Sequence, residues 1–386
     1  MKYFWHACLT LLLAAPALAQ NQFVYTDNNV NIGIDKKAVN SVSAFKVNED
    51  GSLTQVKGSP YATGGLGGGN NIDPEEIAVS TQSGTSFLYA ANDGSGTISA
   101  YAINPVGGSL ARVAGSPFLA DGGNGGDYSL TTSPNGKFLF ATADTATDIH
   151  VYSIASDGAL TEVAGSPFPA GADSQGLKVT PNGNFLLVGE GALSAVGVYS
   201  IATSGALTAV AGSPFPTSAS PLDLDVNCAG NLVFVVDDGS YNGSYSTIDV
   251  FSLARDGSLA PVPGEPFYNG SSSTNGGLAL SPNGQYLFVT DTFSSEISSL
   301  AVSSDGALSQ VPGSPYATSD WPGGVAVTAN GKFVYATLFA VAEIEGRSIA
   351  TNGALAPVPG TPFSTGQAQE GVPTLITFPA RSCAAQ

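Results

Sequence analysis

Carboxylates and aromatic rings precede several strand-like runs of this 386-residue chain, and they are the side chains best suited to chemistry. A carboxylate can act as a general base toward water, and an aromatic ring beside it can hold the apolar face of a sugar. Two of these acids, Glu76 and Asp127, are the candidate catalytic bases. The remaining residues are candidate ligand contacts: Glu75, Tyr128, Asp223, Trp321 and Glu370.

A lysine and an aspartate occupy matching places within two later runs. Lys178 lies in the middle of one run, and Asp225 lies at the equivalent position of the next. Two charges in an otherwise small or apolar layer are expected to be compensated. The sequence leaves open whether they form a structural salt bridge or whether Lys178 contacts a ligand.

One glycine-rich loop carries oxygen ligands. Asp121, Asn124 and Asp127 are spaced so that their side chains could hold Ca²⁺. A plain flexible loop explains the same composition, and we expect no other cofactor. His150, between apolar residues of a strand-like run, is interpreted as a structural histidine.

The elements that must position these residues come from an internal repeat. A segment of the type Gly-Ser-Pro-Phe/Tyr begins at seven glycines: Gly58, Gly115, Gly165, Gly212, Gly264, Gly313 and Gly360. Successive glycines are 57, 50, 47, 52, 49 and 47 residues apart. A period near fifty with strand-type repeats indicates a propeller with one sheet per repeat. The sequence therefore predicts an all-β, seven-bladed β-propeller.

Each repeat contains four short β-branched and aromatic runs, which we name A, B, C and D from the axis outward. Turns of the type Pro-Asn-Gly separate A from B, as at Pro134, and Asp-Gly turns separate C from D, as at Asp157. D contains prolines, such as Pro261, and must be an outer edge. Four antiparallel strands per blade are predicted, and the A strands surround a central channel.

The candidate residues precede A strands, so they should meet at one end of that channel, which we call the mouth. Acids that follow the B strands should share this face: Asp27, Asp93, Asp144, Glu190, Asp237, Asp238 and Asp291. The face would then be acidic and attract a cation or a basic ligand. Turn chemistry alone also explains an aspartate after a strand.

The two ends of the chain complete one blade. Phe23 to Asp27 is a B strand with no A strand before it, and Thr374 to Phe378 is an A strand with no B strand after it. The C-terminal strand should therefore pair beside the N-terminal one and close the ring. This predicts a single domain over residues 20–386.

Residues 1–19 have the features of a signal peptide. Lys2 gives the positive start, an apolar core follows, and Ala17-Leu18-Ala19 is a small-x-small cleavage signal. No other run is apolar enough to span a membrane. We expect an exported, monomeric protein; the periplasm and the outside of the cell remain alternatives. A net charge of −18 argues against nucleic acid as a partner.

Two cysteines remain after processing. Cys228 lies in the A–B turn of the fifth blade, and Cys383 follows the closing A strand. In an exported chain they could form a disulfide across the channel or remain two unrelated thiols.

The recurrent pattern, as in Ser133 to Phe140 followed by Ile149 to Ile154, resembles the seven-bladed propeller family that includes the bacterial 6-phosphogluconolactonases. It is also similar to surface-protein repeats with a Tyr-Val-Thr-Asn consensus, matched by Tyr25-Thr26-Asp27 and its preceding Val24. The resemblance implies hydrolysis of a sugar lactone. It also implies histidine, arginine and glutamate at the starts of the A strands, where this chain has neither histidine nor arginine.

Three functions are therefore considered. The first is hydrolysis of a sugar lactone or related small ester, with a mouth carboxylate as base. The second is binding of a sugar or peptide without turnover, favoured by acids and rings at the mouth. The third is a structural cell-surface disc.

Overall fold

The computed structural model describes residues 21–28, 39–68, 76–120, 128–143, 147–239, 246–268, 275–339, 341–366, 374–381 and 383. Seven antiparallel sheets are arranged as the blades of one β-propeller, which confirms the predicted fold class. The predicted signal peptide lies outside the described residues.

The two inner strands of each blade are continuous. The A strands of blades one to seven are Leu375–Phe378, Ile77–Gln82, Tyr128–Thr132, Ser174–Val179, Ser220–Val226, Asn275–Leu280 and Pro322–Val327. The B strands are Gln22–Asp27, Thr85–Asn92, Phe138–Ala143, Phe185–Glu190, Leu232–Asp238, Tyr286–Asp291 and Phe333–Leu338.

The outer half of each blade consists of a C strand and a broken fourth strand. The C strands are Val39–Val47, Thr97–Ile103, Asp148–Ile154, Ala195–Ile201, Thr247–Leu253, Glu296–Val302 and Glu343–Ile349. The D strands are Leu53–Gln55, Leu110–Arg112, Leu160–Glu162, Leu207–Ala209, Leu259–Pro261, Leu308–Gln310 and Leu355–Pro357.

The chain returns to the same C strand after each Gly-Ser-Pro segment. Six blades have a short return strand there: Tyr61–Leu66, Phe118–Leu119, Phe168–Pro169, Phe215–Pro216, Tyr316–Ala317 and Phe363–Ser364. Blade five has a single bridge between Ile248 and Phe267 instead. The D strand and the return strand both pair with the C strand and together occupy the predicted fourth position. The outer edge of the blade therefore continues beyond the Gly-Ser-Pro segment, where the sequence pattern predicted that it would end.

Helical structure in the described ranges is confined to short 3₁₀ turns, such as Asp93–Ser95, Gly191–Leu193 and Thr292–Ser294. No helix in these ranges has the length and hydropathy needed to cross a membrane.

The core lies between blades. B strands are buried on both faces, as in Leu232–Asp238, where every residue is buried. Val233 and Val235 pack toward blade four, whereas Phe234 and Val236 pack toward blade six. Each B strand thus contributes to two cores, which explains its continuous apolar sequence.

The predicted turns place glycine where the backbone requires it. Gly158, in the C–D turn of blade three, has a φ of +87°, and a Cβ there would lie 2.3 Å from Cδ1 of Phe87 in blade two. Only glycine permits both this backbone angle and this contact.

A hydroxyl fastens the Gly-Ser-Pro segment to its blade, and we call this bond the hydroxyl latch. The second residue of the segment accepts a hydrogen bond from a backbone N–H of the C strand. Six blades have the latch, between Ser59 and Ala44, Ser116 and Ala100, Ser166 and Val151, Ser213 and Val198, Ser314 and Ser299, and Thr361 and Gly346. The donor–acceptor distances are 2.8–3.0 Å. The latch satisfies a buried donor that the broken strand would leave unpaired.

The ring is closed as predicted. Leu375–Phe378 pairs antiparallel with Gln22–Asp27, and Phe23 lies opposite Phe378. The chain then continues past Pro379, and Cys383 forms a disulfide with Cys228 in the A–B turn of blade five. Of the two alternatives, the structure therefore supports the disulfide.

Candidate functional site

The mouth of the channel is the end at which the A strands begin. Neighbouring A strands pack against one another around the ring. In blades four to seven the pairing of A with B is irregular at this end, between Gln175 and Leu177, Pro221 and Asp223, Asn275 and Leu278, and Pro322 and Val325. Bulges of this kind turn side chains away from the regular alternation and often lie beside functional sites.

Backbones approach closely at these bulges. Gly176 has a φ of +62°, and a Cβ there would lie 2.8 Å from both Cα of Asp223 and the carbonyl oxygen of Leu222. A side chain at this position would displace the start of blade five. The bulges therefore bring the A strands of blades four and five into direct backbone contact at the mouth.

Glu76, a predicted catalytic base, lies immediately before the A strand of blade two. Its backbone carbonyl accepts a hydrogen bond from the N–H of Ala91 at 2.9 Å, and Glu76 as a whole is 1% exposed. The structure thus places a buried carboxyl group at the mouth end of the channel wall.

Asp223, a predicted ligand contact, bonds to the backbone of two strands. Its Oδ1 accepts from the N–H of Leu224 at 2.7 Å, and its Oδ2 accepts from the N–H of Leu278 in blade six at 2.8 Å. These bonds give Asp223 a role in joining two blades.

Asp225, two residues further along the same A strand, also joins blades five and six. It has a cationic partner that the sequence analysis did not identify. Its Oδ2 accepts from the N–H of Leu280 at 3.1 Å. Arg381, from the C-terminal tail, donates to both carboxylate oxygens at 2.8 and 2.9 Å. Burial opposes the ionisation of Asp225, but Arg381 and then Lys178 outweigh it and hold the pKa below its usual value. Lys178 therefore helps to keep Asp225 ionised.

Trp321 is the centre of an aromatic cluster at the mouth. Its ring lies between those of Phe293 and Phe339, with centroid distances of 5.3 and 6.1 Å. Trp321 is 42% exposed and Phe293 is 53% exposed. We call these three residues the aromatic shelf. Exposed rings at a channel entrance provide a stacking surface for a sugar.

Phe293 and Phe339 were not among the predicted site residues, because no local pattern marks them. Phe293 lies in the 3₁₀ turn after the B strand of blade six, and the N–H of Phe339 donates to the carbonyl oxygen of Trp321 at 2.7 Å. The three rings are far apart in the sequence, and they meet because blades six and seven are neighbours at the mouth.

Several predicted residues fall outside the described ranges. They are Glu75, Glu370 and the calcium candidates Asp121, Asn124 and Asp127. Tyr128 begins the A strand of blade three. Within the part of the chain that the structure describes, no group of His, Cys, Asp or Glu side chains could hold a metal ion.

Asp144 lies outside the described residues, and the other acids that follow the B strands are buried rather than displayed. Asp27, Asp237 and Asp291 are 0% exposed and Glu190 is 2% exposed. Glu190 accepts from the Tyr199 hydroxyl at 2.7 Å, and Asp291 accepts from the Ser298 hydroxyl at the same distance. Both hydroxyls belong to C strands, and neither Glu190 nor Asp291 caps the 3₁₀ turn that follows it. Their burial argues against a displayed acidic face, and their contacts differ from the turn capping that the sequence suggested.

His150 lies in the C strand of blade three, away from the A strands. Its Nδ1 is 2.9 Å from Oε1 of Glu162, and its Nε2 is 3.7 Å from Oδ1 of Asp148. Both partners belong to the outer half of the same blade, which fits a structural histidine.

Comparison with known proteins gives a consistent result. The family model described as lactonase, seven-bladed β-propeller, matches residues 38–174 and 130–252. A putative 6-phosphogluconolactonase from Bacteroides fragilis is 18% identical, with a TM-score of 0.72 over 94% of this chain and 99% of the other. A periplasmic gluconolactonase from Pseudomonas aeruginosa is also 18% identical, with a TM-score of 0.68 over 92% and 99%. No curated protein matches the chain.

Proposed function

Because the chain belongs to the family of seven-bladed β-propeller lactonases, we propose that it hydrolyses a sugar lactone at the channel mouth. Family membership is the observation that carries this proposal. The exposed aromatic shelf supports it, since a sugar lactone presents an apolar ring face to stack on Trp321.

Glu76 is the proposed general base. Its carboxylate takes a proton from water as the water oxygen attacks the lactone carbonyl carbon. The bond between that carbon and the ring oxygen then breaks, and the ring oxygen takes the proton that Glu76 holds, so that the carboxylate is regenerated, one water is consumed and one hydroxy acid is formed. Lys178, partly exposed in the A strand of blade four, is the cation assigned to the developing oxyanion.

Proton release during hydrolysis tests the proposal directly. The purified protein is assayed on gluconolactone, 6-phosphogluconolactone and galactonolactone, with spontaneous hydrolysis subtracted. Glu76→Gln should lower kcat by about 100-fold or more, since general bases contribute on that scale. Trp321→Ala should raise KM by about tenfold with a smaller effect on kcat, since it removes a stacking contact.

Glu343→Gln is the matched control, because it removes a partly exposed carboxylate from the outer half of blade seven. Its activity should equal that of the unchanged protein. Full activity in Glu76→Gln on every lactone would exclude Glu76 as the base.

Sugar binding without turnover is the second candidate, and the exposure of the aromatic shelf favours it. In that case no lactone would be hydrolysed, and Trp321→Ala would abolish sugar binding measured by titration calorimetry. Absence of both turnover and binding would leave the structural disc.

Export is part of the proposal. A disulfide between Cys228 and Cys383 is typical of a protein that folds outside the cytoplasm. Mass spectrometry of the protein recovered from the periplasm or the medium should give an N-terminus at Gln20. Recovery of an uncleaved chain from the cytoplasm would contradict export.

A further inference from the structure

Blade five departs from the repeat in its hydroxyl latch. Glu265 replaces the serine or threonine that the other six blades have at this position. In the described residues no hydrogen bond from the N–H of Val250 to Glu265 takes the place of the latch. The blade thus lacks a bond that every other blade makes, and it has a carboxylate there instead.

A second departure lies on the same sheet. In blades one, two and six the end of the B strand bonds to a serine hydroxyl in the C strand, between Asn28 and Ser43, Asn92 and Ser99, and Asp291 and Ser298. In blade five the corresponding residues are Asp237 and Asp249, which are 0% and 1% exposed. A matched donor and acceptor are therefore replaced by two buried carboxyl groups.

Asp249 lies between the other two acids. Asp237 is within hydrogen-bond reach of Asp249, and Asp249 is within reach of Glu265. Oδ1 of Asp237 is buried and has no hydrogen-bond donor in the described chain. Burial and the adjacent Asp249 raise the pKa of Asp237 well above its usual value, and the same two causes raise the pKa of Glu265 to about 7. Glu265 therefore becomes ionised near neutral pH, beside a second carboxyl group.

Two of these acids, Asp249 and Glu265, border an open cleft between blades four and five. The cleft has a volume of about 290 Å³ and includes Asp249 and Glu265. Its aromatic and apolar walls are formed by Phe215 and Pro216 of blade four and by Phe251 and Pro261 of blade five, and Thr217 and Ser218 add polar groups. The backbone N–H and hydroxyl of Ser218 donate to Asp249 at 2.5 and 2.8 Å, which holds that carboxylate at the cleft.

At the corresponding position between blades six and seven, a guanidinium group of the chain itself occupies the space. Glu345 corresponds to Asp249, and Arg347 stands where blade five has Phe251. Nη2 of Arg347 donates to Oε1 of Glu345 and also to the carbonyl oxygen of Ala317. The guanidinium lies 5.8 Å from the ring centroid of Tyr316, which corresponds to Phe215.

A second guanidinium lies between blades one and two. Arg112 stands where blade five has Pro261, and its Nη2 donates to the carbonyl oxygen of Ala62. Ala62 and Ala317 each follow the aromatic residue of a Gly-Ser-Pro segment, as Pro216 does in blade four. At two places between blades, an arginine of the chain itself is therefore bonded to the same carbonyl position.

We propose that the cleft between blades four and five binds the guanidinium group of a ligand with an apolar stem, such as an arginine side chain of a peptide. The planar donor fork matches Glu265 and the carbonyl oxygen of Pro216, and the ring of Phe215 provides a stacking face. A hard divalent cation would require more oxygen ligands than these walls offer.

The test uses acetyl-arginine methylamide as the ligand and acetyl-citrulline methylamide as its uncharged isostere. Binding is measured by titration calorimetry at pH 8 and about 0.15 M salt, where nonspecific attraction to the acidic protein is screened. The arginine compound should bind at least tenfold more tightly than the citrulline compound. Glu265→Ser, which restores the residue type of the other blades, should weaken arginine binding about tenfold.

Two further variants complete the test. Glu296→Gln removes a carboxylate in blade six and should leave binding unchanged. Phe251→Arg, which copies the arginine found at the equivalent position of blade seven, should fill the cleft and abolish binding while the protein remains folded by its melting curve. Equal affinity for the arginine and citrulline compounds, or equal weakening by Glu296→Gln and Glu265→Ser, would overturn the proposal. So would the absence of binding at about 10 mM ligand.

Discussion

At the scale of single residues, the repeat serves as an internal control. Six blades have the hydroxyl latch, so Glu265 can be compared with the residues that ordinarily occupy its place. The comparison separates what the fold needs from what one blade adds. Blade five adds the carboxyl group of Glu265 at the position where the other blades form the uncharged hydroxyl latch.

This comparison predicts how stability depends on pH. Burial and Asp249 raise the pKa of Glu265 from 4.5 to about 7, so the folded protein binds a proton that the unfolded chain releases. The contribution of Glu265 to stability is therefore present below about pH 4.5 and is lost as the pH rises through 7. Glu265→Ser should stabilise the protein at pH 8, since it removes that penalty and restores the latch, a bond of about 1 kcal/mol.

Urea denaturation at pH 8 and pH 5 measures this effect. The stabilisation by Glu265→Ser should shrink at pH 5, where the carboxyl group is largely protonated. A stabilisation that is equal at both values would mean that the latch alone accounts for it. Glu296→Gln should show no such dependence on pH.

At the scale of elements, the closing strand carries much of the ring's stability. Leu375 and Phe378 are 6% and 4% exposed, and burial of such side chains contributes about 1.5–3 kcal/mol each. Removal of residues from Thr374 onward should therefore lower the melting temperature steeply, because blade one loses its inner strand.

A shorter truncation is the matched control. Ending the chain after Pro379 keeps the strand but removes Arg381 and Cys383. It should still destabilise the protein, because a buried Asp225 loses its partner and a long-range disulfide is lost, effects of about 3–5 and 2–4 kcal/mol. If both truncations melted at the same temperature, the strand itself would contribute nothing.

Much of this level of structure could be predicted from the sequence. Strands, turns and ring closure follow from local patterns that recur about every fifty residues. The bulges at the mouth could not be predicted in this way, because Gly176 packs against the backbone of the next blade. Nor could the ion pair between Arg381 and Asp225, since these residues meet only in the closed ring.

The candidate site shows the same limit. Trp321 was recognisable as a ring at the mouth, but it meets Phe293 through packing between blades six and seven and Phe339 through the pairing within blade seven. Asp249 and Glu265 drew no attention in the sequence, because their significance lies in contact with each other and with Asp237. Comparison of all seven repeats residue by residue would have marked Glu265 as an exception.

At the scale of the whole molecule, the blades are equivalent in fold but not in chemistry. Arg347 lies between blades six and seven, Arg112 lies between blades one and two, and the cleft between blades four and five is open. The aromatic shelf is confined to blades six and seven in the described residues. The ring thus presents different surfaces around its circumference while one packing scheme holds it together.

Both ends of the described chain lie on the same side of the disc. The B strand that starts at Gln22 begins beside the A–B turns, and Cys383 is bonded to one of those turns at Cys228. The mouth is on the opposite side. A bead, an affinity tag or a fused protein attached directly before Asn21 or directly after Cys383 would therefore stand behind the disc, and the immobilised protein would present its mouth outward to solution.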